Sequence, residues 1–84
     1  MNKNKFCNIV LGDFIKKKRL EHQITIREIA EMISISESAY LKYEDGSVSI
    51  FIDHLVVLAK ILKVDLKVFF DIYLNAETKK LKIT

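Results

Sequence analysis

Apolar positions along this 84-residue chain recur every three or four residues, the period of helices that bury one face. The clearest case is residues 25–46, TIREIAEMISISESAYLKYEDG. Thr25 suits an N-cap, and Glu28 three residues later completes a capping box. Ile26, Ile29, Ala30 and Ile33 then fall on one face. After Ser34 and Ile35, Ser36 caps a second helix whose inner positions are Ala39, Tyr40 and Tyr43. Gly46 stops it, because glycine takes the left-handed conformation after a helix at no steric cost. Two helices this short bury too little surface to stand alone, so the rest of the chain must hold them as a unit.

Residues 6–22 suit one long helix with Leu11, Phe14 and Ile15 as its inner stripe. Gly12 inside it costs up to ~1 kcal/mol relative to alanine, a choice that a close helix crossing explains. Ser47, Val48 and Ser49 form a loop. Residues 51–62 predict a fourth helix with Ile52, Leu55, Leu58, Ala59 and Leu62 on one face. Lys63 and Val64 turn the chain, and Asp65 caps a fifth helix with the stripe Leu66, Phe69, Phe70 and Tyr73. Residues 1–5 read as a flexible start. Residues 76–84 read as a polar, mobile tail whose final LKIT has the pattern of a short edge strand. The expected fold is all-α, five helices in one domain over residues 6–75. Val57 with Ile61, and Val68 with Ile72, add i, i+4 stripes beyond what one core face needs. They either widen the face around a small core or close a symmetric dimer.

Composition narrows the function. Half of the residues are apolar and proline is absent, which favours a packed helical domain. A net charge of +3 permits a polyanionic partner without demanding one. The lone Cys7 forms no internal disulfide, suggests a reducing compartment and reads as a core thiol. No secretory pattern opens the chain and no apolar run approaches ~20 residues. A soluble, cytoplasmic protein without a membrane partner is expected. One cysteine, two histidines and two glycines supply no phosphate loop and no metal spacing. The expectation is therefore no enzyme, no catalytic residues, no metal and no cofactor. Glu28 and Glu31 read as a solvated face rather than an acid–base pair, and His22 and His54 as surface or helix-end residues.

The segments LGDFIKKKR, TIREIAEMI, SISESAYLKYEDG and IDHLVVLAKILKV, in that order, resemble the phage-repressor-like (Cro/XRE-type) helix-turn-helix domain from Leu11 to Phe70. Size and the KVFFDIYL ending are also similar to restriction–modification controller proteins. The resemblance implies a lambda-repressor-like five-helix domain, a homodimer, and a third helix lying in the major groove of double-stranded DNA. Carried over by position, Ser36, Glu37, Ser38 and Lys42, with Leu41 beside them, face the groove, and Thr25 faces the backbone at a helix start. Ser36 would bond a phosphate, Lys42 a guanine edge or a phosphate, and Glu37 a cytosine N4 donor. Arg19 and Glu44 match positions that pair across helices one and three and contact no DNA. Tyr40 and Tyr43 read as core.

Three departures qualify that reading. Ile26 stands where the family commonly has a phosphate-contacting glutamine. Ser34 stands where it often has glycine, and a non-glycine residue at positive φ costs ~1–3 kcal/mol. Residues 47–49 lack the basic side chains that often touch the backbone. Residues 25–46 hold two cations against five anions, a net −3, so the reading head is acidic and the basic charge lies elsewhere. Lys16, Lys17 and Lys18 on helix one are the nearest candidates for phosphate contacts. The expected function is a sequence-specific transcriptional regulator acting as a homodimer, with Val57, Ile61, Val68 and Ile72 at the dimer interface. The alternative is a protein-interaction module or antitoxin-type partner on the same fold, binding a protein and only weakly DNA.

Overall fold

A computed structural model of the protein describes the backbone of residues 3–82 and the side chains of residues 5–76. Five helices follow one another: α1 Lys3–Glu21, α2 Ile26–Met32, α3 Glu37–Asp45, α4 Ile52–Leu62 and α5 Leu66–Lys82. α1 is the hub. It packs against both α3 and α5, while α2 lies on α3 and α4 on α5. One core joins all five through Leu11 and Ile15, Ile29 and Ile33, Tyr40 and Tyr43, Leu55, Leu58 and Leu62, and Phe69. Cys7 is fully buried, in keeping with its reading as a core residue. Phe14 is half-buried and meets Phe69 edge-on at 6.0 Å between ring centres, a favoured aromatic geometry.

Gly12 explains itself at the crossing of α1 and α3. A Cβ there would lie 2.3 Å from the carbonyl oxygen of Tyr43 and 2.6 Å from that of Glu44. The helix backbones approach more closely than any side chain allows, and the propensity lost at Gly12 is the cost of that approach.

Left-handed residues end the first four helices, but only Gly46 at φ 78° is a glycine. Gln23, Ser34 and Lys63 take φ of 57°, 62° and 56°. At each of these three the chain folds back with paired bonds to the last turn, as where Ile35 N–H donates to Ala30 O at 3.0 Å and Ser34 N–H to Glu31 O at 3.1 Å. Those bonds satisfy carbonyls that a helix end would otherwise leave unpaired and hold the strained residue in place. Ser34 is exposed and at positive φ, so Ser34→Gly should raise stability by ~1 kcal/mol, strain relief of ~1–3 kcal/mol exceeding the added unfolded-chain entropy. The expected result is a higher urea midpoint at unchanged slope; a lower midpoint would contradict it.

The sequence reading needs correction in four places. α1 begins at Lys3 rather than after a flexible start, and Met1 and Asn2 lie outside the described residues. α5 continues to Lys82 instead of giving way to a tail at residue 76. Ala76 is buried, and nothing from Asn75 to Lys82 breaks a helix: alanine, glutamate, leucine and lysine favour one. Leu81 and Lys82 are therefore helical rather than part of an edge strand, while Ile83 and Thr84 lie outside the described residues. Ile52 and Phe70, assigned to inner stripes, are exposed. On α5 the inward set is Phe69 and Ala76, with Leu66, Ile72 and Tyr73 half-buried. That spacing follows the 3.6-residue period from Phe69 and turns Phe70 outward.

Candidate nucleic-acid interface

The head formed by α2 and α3 is capped as its sequence implies. Thr25 Oγ1 accepts the Glu28 N–H at 3.0 Å, and Glu28 Oε1 accepts the Thr25 N–H at 2.8 Å. These bonds hold the Glu28 carboxyl below the usual carboxylate range. Ser36 Oγ accepts the Ala39 N–H at 3.0 Å, which leaves its hydroxyl proton free to donate to a phosphate oxygen. At the far end of α3, the Ser47 hydroxyl and backbone N–H both donate to Asp45 and lower its carboxyl.

α3 is divided lengthwise. Tyr40, Tyr43 and Glu44 are buried, whereas Glu37, Ser38, Leu41 and Lys42 are exposed. The outward four are spaced i, i+1, i+4 and i+5, so they share one face. Every position carried over for base or phosphate contact, Ser36 and Thr25 included, is solvent-accessible.

What orients that face is a buried polar cluster. Arg19 Nε donates to Glu44 Oε2 at 2.6 Å and Nη2 to Oε1 at 3.2 Å, a two-pronged pair with both side chains almost wholly buried. The third guanidinium arm donates to the Ile24 carbonyl at 2.8 Å, and the Tyr40 hydroxyl donates to Glu44 Oε2. No buried side-chain nitrogen or oxygen among the described residues lacks a partner. The Glu44 carboxylate raises the already high pKa of Arg19. Burial first, and then the bond to Glu44, pushes the Tyr40 phenol up, so it remains a donor. A raised folded-state pKa gives stability that is complete below the unfolded value of about 10 and is lost as pH rises beyond it. Alkaline titration should therefore show the Tyr40 hydroxyl ionising only together with unfolding; tyrosinate absorbance from Tyr40 ahead of the loss of helical signal would contradict this.

The helix-one cations are less free than their number suggests. Lys17 pairs with Asp13 at 3.0 Å and Lys18 with Glu21 at 3.2 Å, while Arg27 on α2 lies 3.5 Å from Glu31. Lys18 also sits over the Phe14 ring, 5.7 Å from its centre. Lys16 is exposed and joins no ion pair among the described residues. All three exposed pairs are weak, worth ~0.3–0.5 kcal/mol each, so a phosphate can displace them.

The sequence reading left unassigned a concavity beside α3 of about 420 Å³, lined by Ser38, Lys42, Tyr43, Val48, Phe51 and His54 among others. The Tyr43 hydroxyl and His54 Nδ1 lie 2.7 Å apart, and the Phe51 ring meets the His54 ring edge-on. Phe51 stands beside Ile52 at the start of α4, where a helical period fits either residue and does not mark which is exposed. His22 serves the helix end expected of it: its Nε2 lies 2.8 Å from the Leu62 carbonyl oxygen at the close of α4. Of the residues assigned to a dimer, Ile61 and Ile72 pack half-buried against the core, and Val57 and Val68 are only marginally exposed. Among the described residues no helix is long and apolar enough to cross a membrane, and no three potential metal ligands gather.

A helix-turn-helix family model matches residues 15–69, from the middle of α1 into α5. Two crystal structures of the clp gene regulator ClgR from Corynebacterium glutamicum share the fold. One is 18% identical with a TM-score of 0.71, over 83% of this chain and 91% of that one. The other is 17% identical with a TM-score of 0.75, over 90% and 81%. No curated protein matches in sequence.

Proposed function

We propose that this chain, which belongs to the Cro/C1-type helix-turn-helix family of DNA-binding transcription regulators, works as a homodimer that reads a near-palindromic operator. The observation that carries the reading is the lengthwise division of α3, with Glu37, Ser38, Leu41 and Lys42 outward and the Arg19–Glu44 pair fixing the opposite side. Two such helices would enter successive major grooves about one helical turn, ~34 Å, apart. Ser36 and the start of α3 would meet a phosphate, Lys42 and Ser38 the base edges, and Leu41 a thymine methyl. Glu37 selects for cytosine N4 and against the acceptor edge of guanine. Thr25 would lie along the backbone, and Lys16, Lys17 and Lys18 add phosphate contacts.

The charge of the head sets how such a protein behaves. Nonspecific affinity comes from neutralised phosphates, and a head of net charge −3 offers few. Binding should therefore be weak on random duplex and depend on the correct half-sites and on doubling by the dimer. Lys42→Ala tests the assignment by fluorescence anisotropy on a selected operator at several salt concentrations. The expected loss is ~1–3 kcal/mol with relaxed selectivity at one base pair, or a salt slope smaller by ~1 if Lys42 contacts phosphate. Unchanged affinity, selectivity and slope would remove Lys42 from the interface.

A further inference from the structure

Of the four side chains on the outward face of α3, Glu37 is the only carboxylate and Leu41 the only apolar one. They stand at i and i+4, with Cβ atoms ~5–6 Å apart, close enough for both tips to meet one base. Leu41 is 45% exposed. Glu37 joins no ion pair among the described residues, although Lys42 shares its face. A carboxylate carried into a groove between phosphates loses affinity through repulsion and lost hydration unless a donor meets it. The major groove offers two such donors, the amino groups of cytosine N4 and adenine N6. The adenine donor lies between two acceptors, its own N7 and the thymine O4 across the pair, and both repel a carboxylate. The cytosine donor has an acceptor, guanine O6, on one side only. On its other side is the C5 carbon, an apolar edge, and Leu41 is the apolar neighbour of Glu37. A bare C5–H gives a leucine little to touch, whereas a methyl group there gives it a contact. None of the four standard bases sets a donor beside a methyl, since the thymine methyl adjoins the O4 acceptor. 5-Methylcytosine does.

We infer that α3 reads 5-methylcytosine, Glu37 accepting the N4–H and Leu41 packing on the C5 methyl of the same base. Cytosine methylation at that position of the operator therefore tightens binding. The inference rests on the proposal that α3 reads DNA, and it moves Leu41 from a thymine methyl to the base that Glu37 holds. Burying one methyl group raises a binding constant about fourfold, and one in each half-site of a dimer's operator raises it roughly fifteenfold.

Random duplex libraries amplified with cytosine or with 5-methylcytosine supply the operator by selection at low salt. Fluorescence anisotropy then compares cytosine, 5-methylcytosine and thymine at each cytosine of both half-sites, for the parent, Leu41→Ala and Glu37→Ala. At one position per half-site the parent should bind the methylated duplex roughly fifteenfold more tightly than the unmethylated one. Thymine there keeps the methyl but exchanges the donor for an acceptor, and should bind at least ~10-fold more weakly than 5-methylcytosine. Leu41→Ala alters an exposed position toward a better helix former. It should still prefer cytosine to thymine and lose most of the gain from the methyl. Glu37→Ala should bind 5-methylcytosine and thymine alike. Equal or weaker binding of the methylated duplex by the parent at every position would overturn the inference and leave DNA reading standing. A methyl gain undiminished in Leu41→Ala would overturn it too. Folded protein that retains no duplex from either library would overturn both.

Discussion

Arg19→Ala is expected to lower the unfolding free energy by about 3–5 kcal/mol, because it leaves the Glu44 carboxylate buried without its counter-charge. Both side chains are buried, and Arg19 also holds the Ile24 carbonyl in the turn before α2. Domains of this size have ~5–15 kcal/mol of stability in all, so the variant should melt far below the parent and at low urea. The size of the loss reflects the stranded charge rather than the net value of the pair. Replacing both partners, as in Arg19→Met with Glu44→Leu, should therefore recover much of it. The double variant loses something else. The two-pronged geometry at 2.6 and 3.2 Å aligns α3 on α1, and apolar packing carries no such directionality. The double variant should be stable and bind an operator with less discrimination between matched and mismatched half-sites. Circular dichroism melts and a binding titration separate the two effects. A single variant as stable as the parent would show that the buried pair does not fix the head.

Gly46→Ala is the second large effect, with an expected loss of about 3 kcal/mol or more. The residue sits at φ 78°, and a Cβ on it would meet the Ile9 Cα at 2.5 Å and the Ile9 nitrogen at 2.6 Å. Left-handed strain alone costs ~1–2 kcal/mol at a non-glycine residue, as Gln23, Ser34 and Lys63 show can be tolerated. Gly46 differs from those three because the clash falls on helix backbone, which cannot rotate aside. α1 must shift, and the Gly12 crossing on the same side of α3 shifts with it. Urea unfolding measures the loss. A change below ~1 kcal/mol would mean that α1 and the end of α3 separate easily, against the picture of a head clamped on a hub.

Much of this was legible because local rules and tertiary contacts agree. The capping box at Thr25 and Glu28, the cap at Ser36, the stop at Gly46 and the inward tyrosines all stand where short-range chemistry puts them. Arg19 and Glu44 were different: 25 residues apart, they share no local signal, and only a family resemblance joined them. Facing directions failed where apolar residues run together. In the doublets Phe51–Ile52 and Phe69–Phe70 either member satisfies a helical period, and only packing against α1 selects Phe69 and leaves the others outside. The extension of α5 was missed because Glu, Lys and Thr look like solvent-exposed coil to a pattern reader, although nothing in them stops a helix. Glu37, Ser38, Leu41 and Lys42 share an exposed face of α3. Which of its side chains touch which atoms of DNA is a property of a complex, and no residue pattern states it.

The proposed function is recognition of specific duplex DNA, as a dimer, by an acidic reading head held on α1. Selection of bound fragments from a genomic library at two salt concentrations tests it most directly. The expected result is enrichment of a near-palindromic sequence with half-sites about one helical turn apart, surviving at the higher salt while random fragments are lost. Folded protein at micromolar concentration that retains no fragment at low salt would contradict it.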